Sequence, residues 1–178
     1  MTHSAREHNF ILQQGFPEPA PASCSPLYRA LSFQPRVVAV VLLLGIVFQE
    51  PWIFAALGAV LWWCAAVPRW NLFEALYNAL LSRGAGRARL TPAPAPRRFA
   101  QTIAGAMSIA IAVALGLGWR TAAIGLEIFL AAAVGALAFG GFCLGSFLFH
   151  VIRGRASFAL RTMPWSRGTG SGDVVRSA

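Results

Sequence analysis

The stretch TAAIGLEIFLAAAVGALAFGGFCLGSFLFHVI, residues 121–152, decides the fold class. Residues 128–149 hold no charge, and about 20 apolar residues are enough to carry a helix across a bilayer. Hydrocarbon supplies no partners for backbone amides and carbonyls. A sheet of this length cannot close a barrel, and open sheet edges are not tolerated there. The run is therefore helical. The fold expected is all-α: a polytopic membrane protein with four transmembrane helices forming two helical hairpins, a short interfacial helix and extended terminal arms.

Composition agrees. The chain has 178 residues, 57% hydrophobic and 12% charged, a profile of one compact helical unit rather than several domains. All 15 basic residues are arginine, and they cluster beside the apolar runs instead of forming a soluble basic face. Lipid headgroups and topology account for that pattern, which excludes nucleic acid as the partner and points to anionic lipids. The first 36 residues contain no apolar core of signal-peptide length, so the first run is expected to be an uncleaved anchor.

Working outward from 121–152, the preceding span covers 99–118, with Trp119-Arg120 as the turn between them. Its small residues Ala100, Ala104, Ser108, Ala112 and Gly116 recur every fourth position, a ridge that lets a second helix approach closely. The expected partner is the final span, with Ala132, Ala136 and Gly140 as one ladder and Gly141 with Gly145 as a GxxxG. Further upstream, two apolar runs form spans of about 37–49 and 52–68, broken by Gln49-Glu50-Pro51. Each is short, so the pair either crosses twice with interfacial extensions or dips in and returns. Residues 70–98 hold a short helix and a basic, proline-stiffened loop. In NLFEALYNALLS, Leu72, Phe73, Leu76 and Leu80 form a stripe opposite Glu74 and Asn78, suited either to the headgroup plane or to the bundle's own surface.

Residues 35–152 thus form the four-helix transmembrane domain. Residues 1–34 are a polar, proline-punctuated arm, either disordered or docking Phe10, Ile11, Leu12 and Phe16 on a partner. Residues 153–178 are a basic tail. The segments before the first apolar run, between the second and third, and after the fourth hold every arginine but Arg120, so all three belong to the cytoplasmic side of a bacterial inner membrane, with both termini inside. Trp52 and Trp119 then mark the outer interface, and Trp70 and Trp165 the inner one.

Few residues in this scaffold can carry chemistry. Cys64 and Cys143 lie at similar depth and are either small apolar packers or a redox pair. Glu127 is an intramembrane carboxylate, which either reaches the interface, pairs with Arg120 or serves transport. His150, at the cytoplasmic end of the last span, can offer one axial ligand to a haem or chlorophyll metal; no second histidine lies within a span. No cofactor is required, though lipid or pigment is compatible with these surfaces.

QPRVV before the first run, APRRFAQTIAG opening the third and GFCLGS late in the fourth together resemble a bacterial integral-membrane family catalogued as a domain of unknown function (4395), over residues 33–152. In that family the last motif resembles GFCxGC, a dithiol in CxxC spacing. Its first cysteine corresponds to Cys143, and Ser146 stands where the second would be, so a dithiol cycle cannot close within this motif.

The leading expectation is a non-enzymatic accessory subunit of a larger membrane complex, bioenergetic or photosynthetic, fastened to other integral subunits by close helix packing and its terminal arms. The alternative is a thiol-redox membrane component using Cys143. A small transporter working through Glu127 stands third.

Overall fold

The tightest helix crossing is built on two glycines. In the computed structural model, which describes residues 5–82 and 88–166, helix α4 (Pro51–Ala66) and helix α6 (Ala95–Gly116) meet at Gly58 and Gly105. A Cβ on Gly58 would stand 2.9 Å from the Gly105 carbonyl oxygen, and one on Gly105 would stand 2.5 Å from the Trp62 ring. The Trp62 indole donates to the Thr102 carbonyl (3.1 Å) and the Arg98 Nε to the Ala65 carbonyl (2.7 Å). Residue numbers fall along one helix as they rise along the other, so the two run antiparallel.

Helix α3 (Phe33–Phe48) completes this side. Its C-terminus closes with Gln49 at φ 53, and Pro51 opens α4, as suits a residue with fixed φ at a helix start. The Phe54 ring seals the crossing by lying on Gly45. Helix α7 (Arg120–Ala138) packs with Ala123, Glu127, Leu130, Val134 and Ala138 inward. The apolar core runs through Val38, Leu42, Phe54, Leu61, Ile111 and Leu130. Outward faces carry Leu43, Val47, Trp62, Ile128 and Phe129, the distribution lipid demands. Residues Pro21–Phe48, α6 and α7 are each long and apolar enough to cross a membrane; α4, at 16 residues, is apolar but shorter. Every regular element among the described residues is helical.

Between α4 and α6, a 3-10 turn (Pro68–Trp70) leads to α5 (Leu72–Leu80), capped by Asn71, whose Oδ1 accepts from the amides of Phe73 (3.1 Å) and Glu74 (3.4 Å). Phe73, Glu74 and Tyr77 are buried, and Leu72, Leu76 and Leu80 are exposed. The expected stripe is thus corrected: Leu72, Leu76 and Leu80 face away from the bundle, while Phe73 turns inward together with Glu74, which the pattern had set on the opposite face.

Two further expectations are corrected. Residues 1–34 are not extended. They form α1 (Ala5–Gln13) and α2 (Pro21–Leu31), folded onto the chain's own body. Phe10, Ile11 and Leu31 are fully buried with Phe16, Tyr77 and Leu90, and Phe10 meets Tyr28 edge-on at 5.1 Å. The arm's apolar cluster is thus covered internally. Half of α1's buried face is polar, Asn9 and Gln13 beside Phe10 and Ile11, which hides its amphipathic pattern.

The second correction concerns 121–152, which is not one span. The helix stops at Ala138, turns through Gly140-Gly141 and restarts as α8 (Leu144–Ile152), followed by α9 (Ala156–Arg161). Gly141 sits at φ 67, and a Cβ on Gly140 would lie 2.4 Å from the Ala136 carbonyl oxygen. Hydropathy runs unbroken across this turn, so only the glycine pair announces it.

Gly105→Val is expected to cost about 1–3 kcal/mol by overpacking the α4–α6 contact. Gly125→Ala, at a position with open space around it, should leave stability unchanged or slightly raised. Thermal unfolding in detergent followed by circular dichroism distinguishes the two.

Candidate functional site

The PAPAP run launches α6 so that Arg97 falls on its first turn and Gln101 one turn later, on the same face. Both point into the bundle, each only 4% exposed. Gln34, on the first turn of α3, meets them: its Oε1 accepts from Arg97 Nη2 (2.8 Å) and Gln101 Nε2 (3.1 Å). Arg97 Nη1 and Gln101 Oε1 have no hydrogen-bond partner. No carboxylate among the described residues lies within ion-pair distance of this guanidinium. Its electrostatic neighbours are Glu74, Cys143 and Cys64.

Cys143 caps α8. Its sulfur accepts from the Ser146 amide at 3.5 Å, with the Ser146 hydroxyl and Gly145 amide also facing it. Helix N-termini favour negative charge, but the sulfur's residue is buried, 4% exposed. Burial pushes the Cys143 thiol up, while the Ser146 hydroxyl and amide, the Arg97 guanidinium and the Gly145 amide pull it down. Burial dominates, so the closed site holds a thiol. The cover is α1: Gln13 Oε1 accepts from the Cys143 amide (2.8 Å), and Arg6 bonds the Phe139 carbonyl. Asn9 Nδ2 donates to the carbonyls of Met163 (2.9 Å) and Ser166 (3.1 Å), tying α1 to the segment after α9.

His150 lies 5% exposed on α8, with Nε2 3.1 Å from the Gln13 carbonyl and its ring against Phe158 at 4.8 Å. Burial first, then the Arg155 charge, lowers its pKa against the Gln13 bond. The neutral ring donating through Nε2 fits this carbonyl. The nitrogen a pigment metal would take is thus engaged, and Nδ1 is buried without a partner. Among the described residues no group of His, Cys, Asp and Glu could hold a metal ion.

Cys64 is fully buried on α4, its sulfur facing the Leu72 and Phe73 amides. Cys24, Cys64 and Cys143 are free thiols, and Arg97 is within electrostatic reach of the last two. Glu127 lies at the opposite end of the bundle, 3% exposed. Its two oxygens each accept from Gln49 Nε2 at 3.2 Å, so its partner is Gln49 rather than Arg120 or the interface.

Of the expected packing ladder, Ala100 meets Gly145 so closely that a Cβ there would sit 2.6 Å from it. Ser108 and Ala112 are buried and Ala104 partly so, while Gly116 and Ala132 are exposed. Ala136 and Gly140 shape the α7 end, and Gly141 touches Arg6. Of the basic loop and tail, Arg83, Arg87, Arg167 and Arg176 lie outside the described residues.

Gln34, Gln101 and Gln13 escaped the sequence reading, and Arg97 appeared there only as one loop arginine. The signal was present: QPRVV, APRRFAQTIAG and GFCLGS contribute Gln34, Arg97 with Gln101, and Cys143 with Ser146, and these converge on one chamber.

An all-helical body with three helices fit to cross a membrane, an apolar exterior and a buried polar centre at one end defines the class: a small integral-membrane protein. The family model "Domain of unknown function (DUF4395)" matches residues 28–153, and the chain belongs to that family. No curated protein and no solved structure matches it.

Glu74 offers a test of the site's electrostatics. It is buried, one carboxylate oxygen lacks a partner, and burial drives its pKa from 4.5 to about 7 against the opposing pull of Arg97. Between those values the folded chain binds more protons than the unfolded one, so stability falls as pH rises from about 4.5 to about 7. Glu74→Gln should flatten that slope in thermal melts taken across the range.

Proposed function

We propose that this chain is a thiol protein of the bacterial inner membrane whose working group is Cys143. The observation that carries the reading is that a sulfur at the start of α8 and a buried guanidinium with no ion-pair partner among the described residues, Arg97, line the same cavity. Positive charge and helix N-termini are the surroundings that stabilise thiolates, and burying an arginine inside a membrane bundle is costly unless something uses it.

Four crossings, α3, α4, α6 and α7, suit the antiparallel packing. At 16 residues, α4 is about 24 Å long and crosses by thinning or by using the Pro68–Trp70 turn. Arginine-bearing segments lie cytoplasmic in this arrangement, which puts the chamber at the inner face and Glu127 near the outer one.

The chemistry is thiol–disulfide exchange with a partner's disulfide. Cys143 loses its proton, its sulfur bonds one partner sulfur, the partner's S–S bond breaks, and the other partner sulfur leaves as a thiolate that takes up a proton. Ser146 supplies no second sulfur, so the mixed disulfide persists until an outside thiol attacks it. Access requires α1 to lift, breaking the Gln13 bond.

A second reading, an accessory subunit without catalysis, is favoured by the open space around Gly116, Gly125 and Gly135, where another subunit's helices can pack. Attachment then uses the bundle faces, since α1 is occupied on its own body.

Gln13→Ala should speed iodoacetamide alkylation of Cys143 about fivefold, the effect of one lost hydrogen bond of about 1 kcal/mol on local opening. Peptide mass spectrometry locates the adduct. Cys143→Ser should abolish thiol-reversible adducts in membranes, and adducts that persist in Cys143→Ser would end the thiol reading. Native mass measurement in mild detergent tests the subunit reading: co-purifying integral proteins support it, and a lone chain or simple homo-oligomer counts against it.

A further inference from the structure

The Arg97 chamber has room that the chain does not fill. A cavity of about 70 Å³ lies between Arg97, Gln101 and Gln34 on one side and Val38, Leu61 and Leu137 on the other. Two buried polar atoms on residues of its wall, Arg97 Nη1 and Gln101 Oε1, lack partners. A second cavity of about 140 Å³ lies between α6, α7 and α8. The two share Ala100, Ala104, Val134, Leu137 and Cys143 as walls. The second has no charged residue in its lining, and it is bordered by Phe129 and Leu148, both exposed on the outer surface of the bundle. A cationic head chamber thus adjoins an apolar channel that reaches the lipid-facing surface.

We propose that this pair of cavities binds a single-chain amphiphile with an anionic head, a long-chain carboxylic acid. Its carboxylate accepts from Arg97 Nη1, and its protonated form can donate to Gln101 Oε1. Its chain runs past Cys143 between α6 and α7. Three features select this class. A buried guanidinium with no carboxylate in contact calls for an anion. The apolar channel selects against a free inorganic anion as the only occupant. The narrow chamber leaves no space for the glycerol and second chain of a phospholipid.

Detergent-purified full-length protein, freed of lipid, is titrated with palmitate, hexadecanol, acetate and phosphatidylglycerol, and binding is read by native mass spectrometry and thermal shift. Palmitate should bind saturably and raise the melting temperature, with hexadecanol and acetate at least about tenfold weaker. Arg97→Gln should lose the preference for palmitate over hexadecanol, and Met107→Trp, which fills the channel without touching the head chamber, should weaken palmitate while leaving the fold intact. Equal binding of palmitate and hexadecanol overturns the proposal, as does acetate or phosphatidylglycerol matching palmitate. Repeating the titration in Cys143→Ser separates this site from the thiol reading: binding there does not depend on the sulfur, and its loss in wild type leaves exchange at Cys143 standing.

Discussion

The fold is organised around the hydrogen bond from the buried Arg97 guanidinium to Gln34 Oε1, 2.8 Å long. A charge removed from water costs several kcal/mol unless polar groups replace the solvent, and at this end of the bundle the replacements come from distant parts of the chain. Gln34 starts α3, Gln101 follows on α6, and Cys143 opens α8. The start of the first long helix, the start of the third and the turn after α7 are thereby held at one level. Gln13, bonding the Cys143 amide and the His150 ring, adds the N-terminal helix as a lid over the same place.

The rest of the bundle needs no such directed bonds. Between its ends, contact is apolar and set by size: Gly58 on Gly105, the Phe54 ring on Gly45, Gly145 on Ala100. Dispersion and close approach suffice where water is absent. The far end repeats the polar logic more simply, with the Gln49 amide donating to both oxygens of Glu127. The same glutamine adopts the left-handed conformation that ends α3, so a single residue terminates the helix and satisfies the carboxylate. Two polar ends bracketing an apolar middle make the register between helices unambiguous, since slipping α3 against α7 by one turn would strand both Glu127 and Arg97.

Much of this was legible in the sequence, because hydropathy reports burial in lipid and burial in protein alike. The apolar runs gave the helices, and the Gln49-Glu50-Pro51 break gave the turn between α3 and α4. The leucines of α5 were read as one face, but Phe73 and Glu74 were set on opposite faces and are buried together, because the fold turns both toward the bundle. Two features were hard to read, each for its own reason. Helix α1 hides because Asn9 and Gln13 read as surface residues, and only the fold brings Asn9 to the Met163 carbonyl and the Cys143 amide to Gln13 Oε1. The break at Gly140-Gly141 hides because both sides of it are equally apolar. The chamber was half visible, spread over three short motifs that nothing in their spacing joined.

Buried polar atoms without partners occur at Asn71 Nδ2, Glu74 Oε1 and His150 Nδ1, and two more line the chamber. Those two are Arg97 Nη1 and Gln101 Oε1, on residues that share a cavity wall with Cys143. An apolar core would have served stability better there. Nor does the sulfur complete the set as it stands, since burial keeps it protonated, and Glu74, which acts on Arg97 electrostatically, stays outside ion-pair distance. The chamber is thus electrically incomplete when the lid is shut. Two things can complete it: ionisation of Cys143 once α1 lifts and water enters, or an anion arriving from the lipid side. Under the two proposals these compete for one cation, Arg97, so an occupied chamber would hold the thiol inert and an empty one would free it to react.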